Sequence, residues 1–287
     1  MPPSEPPPAR PRPATGQRRI DRPGLFGLVV CILIALVALT ADMIRPHDPA
    51  RIDVAHRLEG PSATHWLGTD HLGRDTASRI ITGTRTAMGV ALLSIGIAVI
   101  AGTALGLMAG YGPRWLGTGL LLVLDTISSL PMIMFALAVL TLLGPGLWTL
   151  VGTIAFFTVP GYARLVRSQT MALRDSPFIQ AERSMGAGPL RILFVHMLPN
   201  VIGPLLVVMT MDIPVVIGLE AGLSFLGIGI QPPTPSWGSM LNDGFVFIRN
   251  TPLLVLFSGL PIMVATLAFT FLGEALRERL DPSARRI

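Results

Sequence analysis

Six apolar runs of 17 to 25 residues decide the solvent of this chain: roughly 25–41, 86–109, 119–143, 148–166, 201–225 and 253–273. In hydrocarbon, backbone amides and carbonyls must be satisfied within their own segment, so runs of this length read as membrane-crossing helices. Hydrophobic residues make up 51% of the chain, charged ones 14%, and the mean hydropathy is +0.61, which excludes a water-soluble globule. The expected fold is an all-α integral membrane protein with six transmembrane helices. Arg18, Arg19 and Arg22 precede the first run as they would in a secretion signal, but its length and the five runs behind it point to a retained anchor.

Residue usage removes whole classes of chemistry. All 22 basic residues are arginine, so neither a phosphate-cradling loop ending in Gly-Lys nor a Schiff-base lysine can be built. Cys31 is the single cysteine and lies in an apolar run, which excludes a disulfide framework and a cysteine zinc site. H-E-x-x-H and G-x-S-x-G are absent, and Ser224 follows Gly222-Leu223 rather than occupying a nucleophile elbow, so no enzyme is expected. The pI near 10.8 invites a nucleic-acid partner, yet the arginines flank the spans without an accompanying recognition surface.

Arginine-rich segments stay on the cytoplasmic side. Placing both termini inside leaves 15 arginines inside and 7 outside, 6 of the latter in one long loop. The expected organisation is then a Pro/Arg-rich cytoplasmic tail over 1–24, a disordered spacer; a first helix over 25–41; and an extracytoplasmic loop over 42–85. A five-helix core over 86–273 follows, with a cytoplasmic loop at 167–200 and a cytoplasmic tail over 274–287.

That cytoplasmic loop carries explicit punctuation. Ser176 suits a helix N-cap and Pro177 the first helical position, predicting a short helix to about Met185. Gly186 and Gly188 are expected to end it, and Pro189 to open a second helix that stops before Pro199. A helix of this length, about 14 Å, is unstable alone in water and must dock. Phe178, Ile179, Ala181 and Met185, with Glu182 and Arg183 beside them, suit a groove on another protein; a helix lying on the bilayer is the alternative.

The stretch Gln180-Ala181-Glu182, then Gly186, then Leu198-Pro199, resembles the EAA loop of membrane subunits of bacterial ABC importers. Three further segments are similar to the second-subunit type of the peptide and nickel branch. They are His65–Asp75 (HWLGTDHLGRD), Tyr162–Arg167, and Glu220–Gly227 continuing through Gln231–Gly238. Gln180 departs from the usual glutamate, Glu182 from the second alanine, and His196 occupies the isoleucine position. The resemblance implies a type I permease forming half of a pathway for di- or oligopeptides, with nickel complexes as the alternative cargo. It implies a second permease subunit, two ABC ATPase subunits that carry ATP and Mg, an extracytoplasmic substrate-binding protein, and a bacterial inner membrane, with no cofactor bound by this chain. The loop helix would be the coupling helix, seated in an ATPase cleft. An ion-driven secondary carrier is the rival class, though no clear internal repeat supports it.

Asp125, Asp212 and Glu220 fall within apolar runs, where an ionised carboxylate costs at least about 2.5 kcal/mol at mid-bilayer and so needs protein, water or a counter-charge. Asp212, with Pro214 two residues on, is a candidate for the translocation path. Glu220 fits either that path or a helix-packing hydrogen bond, and Asp125 fits a structural contact with an inside arginine. His65, Asp70, His71 and Asp75 match no zinc signature and are expected to form a structural cap, with no metal. Gln231–Gly238, with three prolines, reads as a stiff extended outer surface with Trp237 at the membrane interface.

Overall fold

The computed structural model describes residues 22–280, in which every regular element is helical. In chain order these are α1 (Arg22–Ile44), a 3-10 turn at Val54–His56, α2 (Thr76–Tyr111), α3 (Arg114–Ser128), α4 (Met132–Leu143) and α5 (Leu147–Arg174). Then come α6 (Pro177–Ser184), α7 (Pro189–Arg191), a π segment (Ile192–Met197), α8 (Leu198–Phe225), α9 (Trp237–Val246) and α10 (Pro252–Leu280). Five stretches are long and apolar enough to cross a membrane: α1, α2, α5, the continuous run Pro189–Phe225, and α10.

The third expected span is not one helix. α3 and α4 meet at an 83° bend, and only the pair together makes a sixth span. The break falls at Ser129-Leu130-Pro131. Pro131 lacks an N–H and disfavours helical geometry at Leu130, so it ends one helix and stands before the first turn of the next.

α2 starts ten residues before its apolar run, because Asp75 caps it, accepting from the Ser78 amide at 2.8 Å. The outer loop therefore ends at 75, not 85. The added turns bring Arg85 to α1, where Nε donates to the Ala38 carbonyl at 2.9 Å. At the far end α10 runs to Leu280, so 274–280 is helix rather than tail, and 22–24 already belongs to α1; the remainder of the two expected tails, 1–21 and 281–287, lies outside the described residues.

The central packing is α2 against α5. A Cβ on Gly102 would lie 2.6 Å from Tyr162 Cβ, on Gly106 2.6 Å from the Ala163 carbonyl oxygen, and on Gly110 2.7 Å from Thr170 Cβ. One glycine per turn lets the two backbones approach to a distance that only side-chain-free positions allow, which is how helices associate where lipid removes the hydrophobic drive between them. α10 packs between α1 and α8.

Trp237 is not an interfacial residue. Its side chain is 1% exposed, its Nε1 donates to the Ile80 carbonyl at 3.2 Å, and it opens α9 behind a capping box formed by Ser236 and Ser239. The proline run delivers this indole into the core, where a large ring with its N–H satisfied is a strong anchor.

Candidate functional site

The loop between α5 and α8 folds as a braced elbow. Ser176 Oγ accepts from the Ile179 amide at 3.4 Å and Pro177 takes the first position, fixing where α6 begins. It ends in a Schellman turn: the Gly186 amide donates to Arg183 O and the Ala187 amide to Glu182 O, each at 3.0 Å. Gly186 adopts φ +87°, a region that favours glycine, whereas Gly188 at φ −71° has no such need.

The second loop helix does not stop before Pro199. α7, the π segment and α8 run on as one helix, since the wider turn at Ile192–Met197 makes room for a residue that cannot continue the α ladder. Leu198 and Pro199 are thus the first turn of α8.

α6 has two distinct faces. Ile179 is 1% exposed and joins the core that includes Ile192 and Met197. Phe178 at 55%, Met185 at 74% and Leu190 at 69% face outward, as do Gln180 and Ala181. Three contacts hold the elbow to the body: Glu182 lies 3.5 Å from His196 Nε2, Phe178 packs edge-on against that imidazole at 5.1 Å, and Arg183 stands 5.1 Å over the Tyr111 ring at the end of α2. The elbow projects an apolar surface made of Met185, Leu190 and the exposed part of Phe178.

Within the spans, Glu220 is fully enclosed, and Ser224 Oγ donates to its Oε1 at 2.7 Å. Ser224 Oγ also accepts from the Ile230 amide at 3.0 Å, which ties the end of α8 to the chain leading into α9. Glu220 Oε2 is buried and has no hydrogen-bond partner, so Ser224 accounts for one of the two carboxylate oxygens. Asp212 is half-buried on α8, close enough to Tyr162 of α5 to interact with it but without a hydrogen bond of normal geometry. Pro214, two residues on, is buried. Asp125 meets Arg164 of α5 at 3.4 Å.

On the opposite side, the four loop residues His65, Asp70, His71 and Asp75 separate into two clusters. Asp70 accepts from Arg74 Nε at 2.6 Å and lies 3.4 Å from Arg79 Nε; Arg74 also reaches Asp243 of α9 at 3.4 Å. His71 stands 3.8 Å from Asp243 and stacks on Phe247. Burial pushes the Asp243 carboxyl above its ordinary value, against the pull of His71, Arg79 and Arg74. Sequence reasoning missed Asp243, and could only miss it, because 169 residues separate it from Arg74. The buried network clamps the outer loop onto α9.

Long apolar helices around a small-residue seam, with one short helix presented outward on an elbow, define a membrane-embedded helical protein. Residues 102–286 match the family described as binding-protein-dependent transport system inner membrane component, and residues 19–61 match the N-terminal TM domain of oligopeptide transport permease C. The chain belongs to this family of importer permeases. It is 39% identical to the dipeptide transport system permease protein DppC of Alkalihalophilus pseudofirmus, over 96% of this chain and 90% of that protein. It is 41% identical to the glutathione transport system permease protein GsiD of Pectobacterium atrosepticum, over 90% and 86% respectively. Its fold matches the inward-facing MetNI methionine ABC transporter with a TM-score of 0.57 at 16% identity, covering 71% of this chain and 96% of that one. It is a type I permease, and family membership removes the ion-driven carrier.

Proposed function

We propose that this chain forms one half of a heterodimeric pore that imports short peptides into a bacterial cell at the expense of ATP held elsewhere. The names of its relatives, transporters of dipeptides, di/tripeptides and glutathione, support peptides as cargo, and none of them favours nickel complexes. The remaining assembly would be a second permease subunit, two ABC ATPases that bind ATP and Mg, and an extracytoplasmic binding protein, in the inner membrane with both termini cytoplasmic. The excess of arginines on one side supports that orientation.

The single observation that carries the coupling role is the exposed apolar surface of α6. An eight-residue helix has no independent stability in water, so a face formed by Phe178 and Met185, continued by Leu190, needs a partner to cover it. Closure of the ATPase pair would displace α6; the Gly186 turn and the Glu182–His196 brace would hand that displacement to the helix running from Pro189 to Phe225. Asp212 on that helix is the proposed path residue, suited to a peptide's positive amino terminus, while Glu220 holds the helix end in place.

Reconstitution tests this reading. With its partner permease, ATPases, binding protein, Mg and ATP, the chain should accumulate labelled dipeptide in vesicles, and omission of ATP or of the ATPases should abolish accumulation. Undiminished uptake by the permease pair alone under an ion gradient would overturn it.

A further inference from the structure

The outer loop brings three potential ligand atoms to one point. His65 Nδ1 lies 2.9 Å from Asp75 Oδ1, and His47 Nδ1 lies 3.8 Å from the same oxygen. All three ligand atoms fall within 4.8 Å of one another, and the imidazoles face each other with centroids 4.9 Å apart. His47 follows α1, His65 belongs to the loop and Asp75 caps α2, so the point joins three separate pieces of chain. His47 stands 18 positions before His65, which is why no zinc spacing is visible along the sequence.

Two features go beyond an ordinary histidine–aspartate hydrogen bond. The His47 Nδ1 atom is buried and has no hydrogen-bond partner, an arrangement that costs free energy unless something else engages the nitrogen. Asp75 is itself 3% exposed and its other oxygen is already committed: Oδ2 accepts from the Ser78 amide at 2.8 Å and from Ser78 Oγ at 2.6 Å. A carboxylate held by one oxygen, with the second turned toward two imidazoles, is oriented as an outer shell orients a metal ligand.

Beside these atoms lies a cavity of about 270 Å³ whose wall includes Asp48, Asp53, His56 and Thr64, with Arg51 as the one arginine lining it. Three carboxylates against one guanidinium favour a cation. The neighbouring group of Asp70, His71 and Asp243 differs in this respect, since Arg74 and Arg79 already neutralise it.

We infer that His47, His65 and Asp75 form a binding site for a divalent transition-metal cation of the zinc type, with the cavity supplying room for a fourth, non-protein ligand. Zinc held at about 2.0–2.1 Å by tetrahedral ligands sets neighbouring donors about 3.3 Å apart, a value bracketed by the observed 2.9 and 3.8 Å. Two imidazoles and one carboxylate with an open position are a borderline-soft donor set, matching zinc better than magnesium or calcium. A bound ion would pin the segment after α1 to the start of α2 and so stiffen the outer loop.

The test uses the assembled transporter carrying no polyhistidine tag, stripped with chelator and titrated with Zn²⁺ by calorimetry, then with Co²⁺ followed by visible absorption. The expected result is one equivalent per copy of this chain, a tetrahedral cobalt spectrum, and affinity lowered about tenfold or more in His47→Gln and in His65→Gln. His71→Gln, in the other cluster, should leave both readouts unchanged. Absence of stoichiometric Zn²⁺ binding to the unmodified transporter would overturn the inference. So would binding that survives in the His47→Gln/His65→Gln double variant, whatever the effect of either substitution on stability.

Discussion

Glu182 places a carboxylate oxygen 3.5 Å from Nε2 of His196, two residues before α8 begins, so the two arms of the elbow at Gly186 are braced against each other. Both side chains are more than four-fifths buried, but no hydrogen bond joins them, so the contact is worth no more than an ordinary ion pair. Glu182→Ala should keep the transporter assembled but lower the uptake driven per ATP hydrolysed by about two- to fivefold, as loss of about 0.5–1 kcal/mol of bracing implies. Parallel uptake and phosphate-release assays on the reconstituted complex check this.

Phe178 and Met185 are the outward anchors of α6. Truncating buried aromatic or large apolar anchors at an interface costs about 1–3 kcal/mol each. Phe178→Ala with Met185→Ala should therefore strip the ATPases from the permease during purification while leaving its membrane insertion intact. Quantifying ATPase retained on the tagged permease reads this out.

Gly186 takes φ +87° with open space around the missing Cβ, so the penalty of replacing it is backbone strain alone. Gly186→Ala should loosen the elbow by about 1–2 kcal/mol, and Gly188→Ala, at ordinary φ, should not. Limited proteolysis of the loop in membranes separates the two.

The α2–α5 seam makes an equally sharp contrast. Gly106→Leu would drive its side chain into the Ala163 carbonyl and Val166, at a cost exceeding the usual 1–3 kcal/mol of overpacking, whereas Gly96→Ala meets nothing within 4 Å. The first variant should be lost from the membrane fraction and the second retained at the unmodified level, as measured by immunoblot.

Asp70 sits between two buried guanidinium groups. Asp70→Ala leaves Arg74 and Arg79 to share Asp243 and should destabilise the outer loop by about 3 kcal/mol, visible as a lowered unfolding temperature of the detergent-solubilised chain.

How much of this was written in the sequence varies with the range of the interaction. The spans follow from hydropathy alone, and α6 from Ser176, Pro177 and Gly186, because caps and φ preferences act over three or four residues. The straightness of the third span did not follow: an apolar run gives length but not direction, and Pro131 turned it through 83°. Pro199 misled in the opposite sense, since a π turn absorbed it. The partnership of Arg74 with Asp243, the enclosure of Trp237 against Ile80 and the approach of His47 to Asp75 join residues far apart in the chain, and no local pattern encodes them.

The central claim is that a nucleotide-driven partner grips the exposed face of α6. Replacing the single native cysteine, Cys31→Ser, and introducing Met185→Cys permits site-directed cross-linking in the assembled, transporting complex. The account predicts an adduct between position 185 and an ATPase subunit whose yield changes when ATP is added. A transport-competent complex in which position 185 reacts only with lipid or soluble reagent, and never with an ATPase, would contradict it.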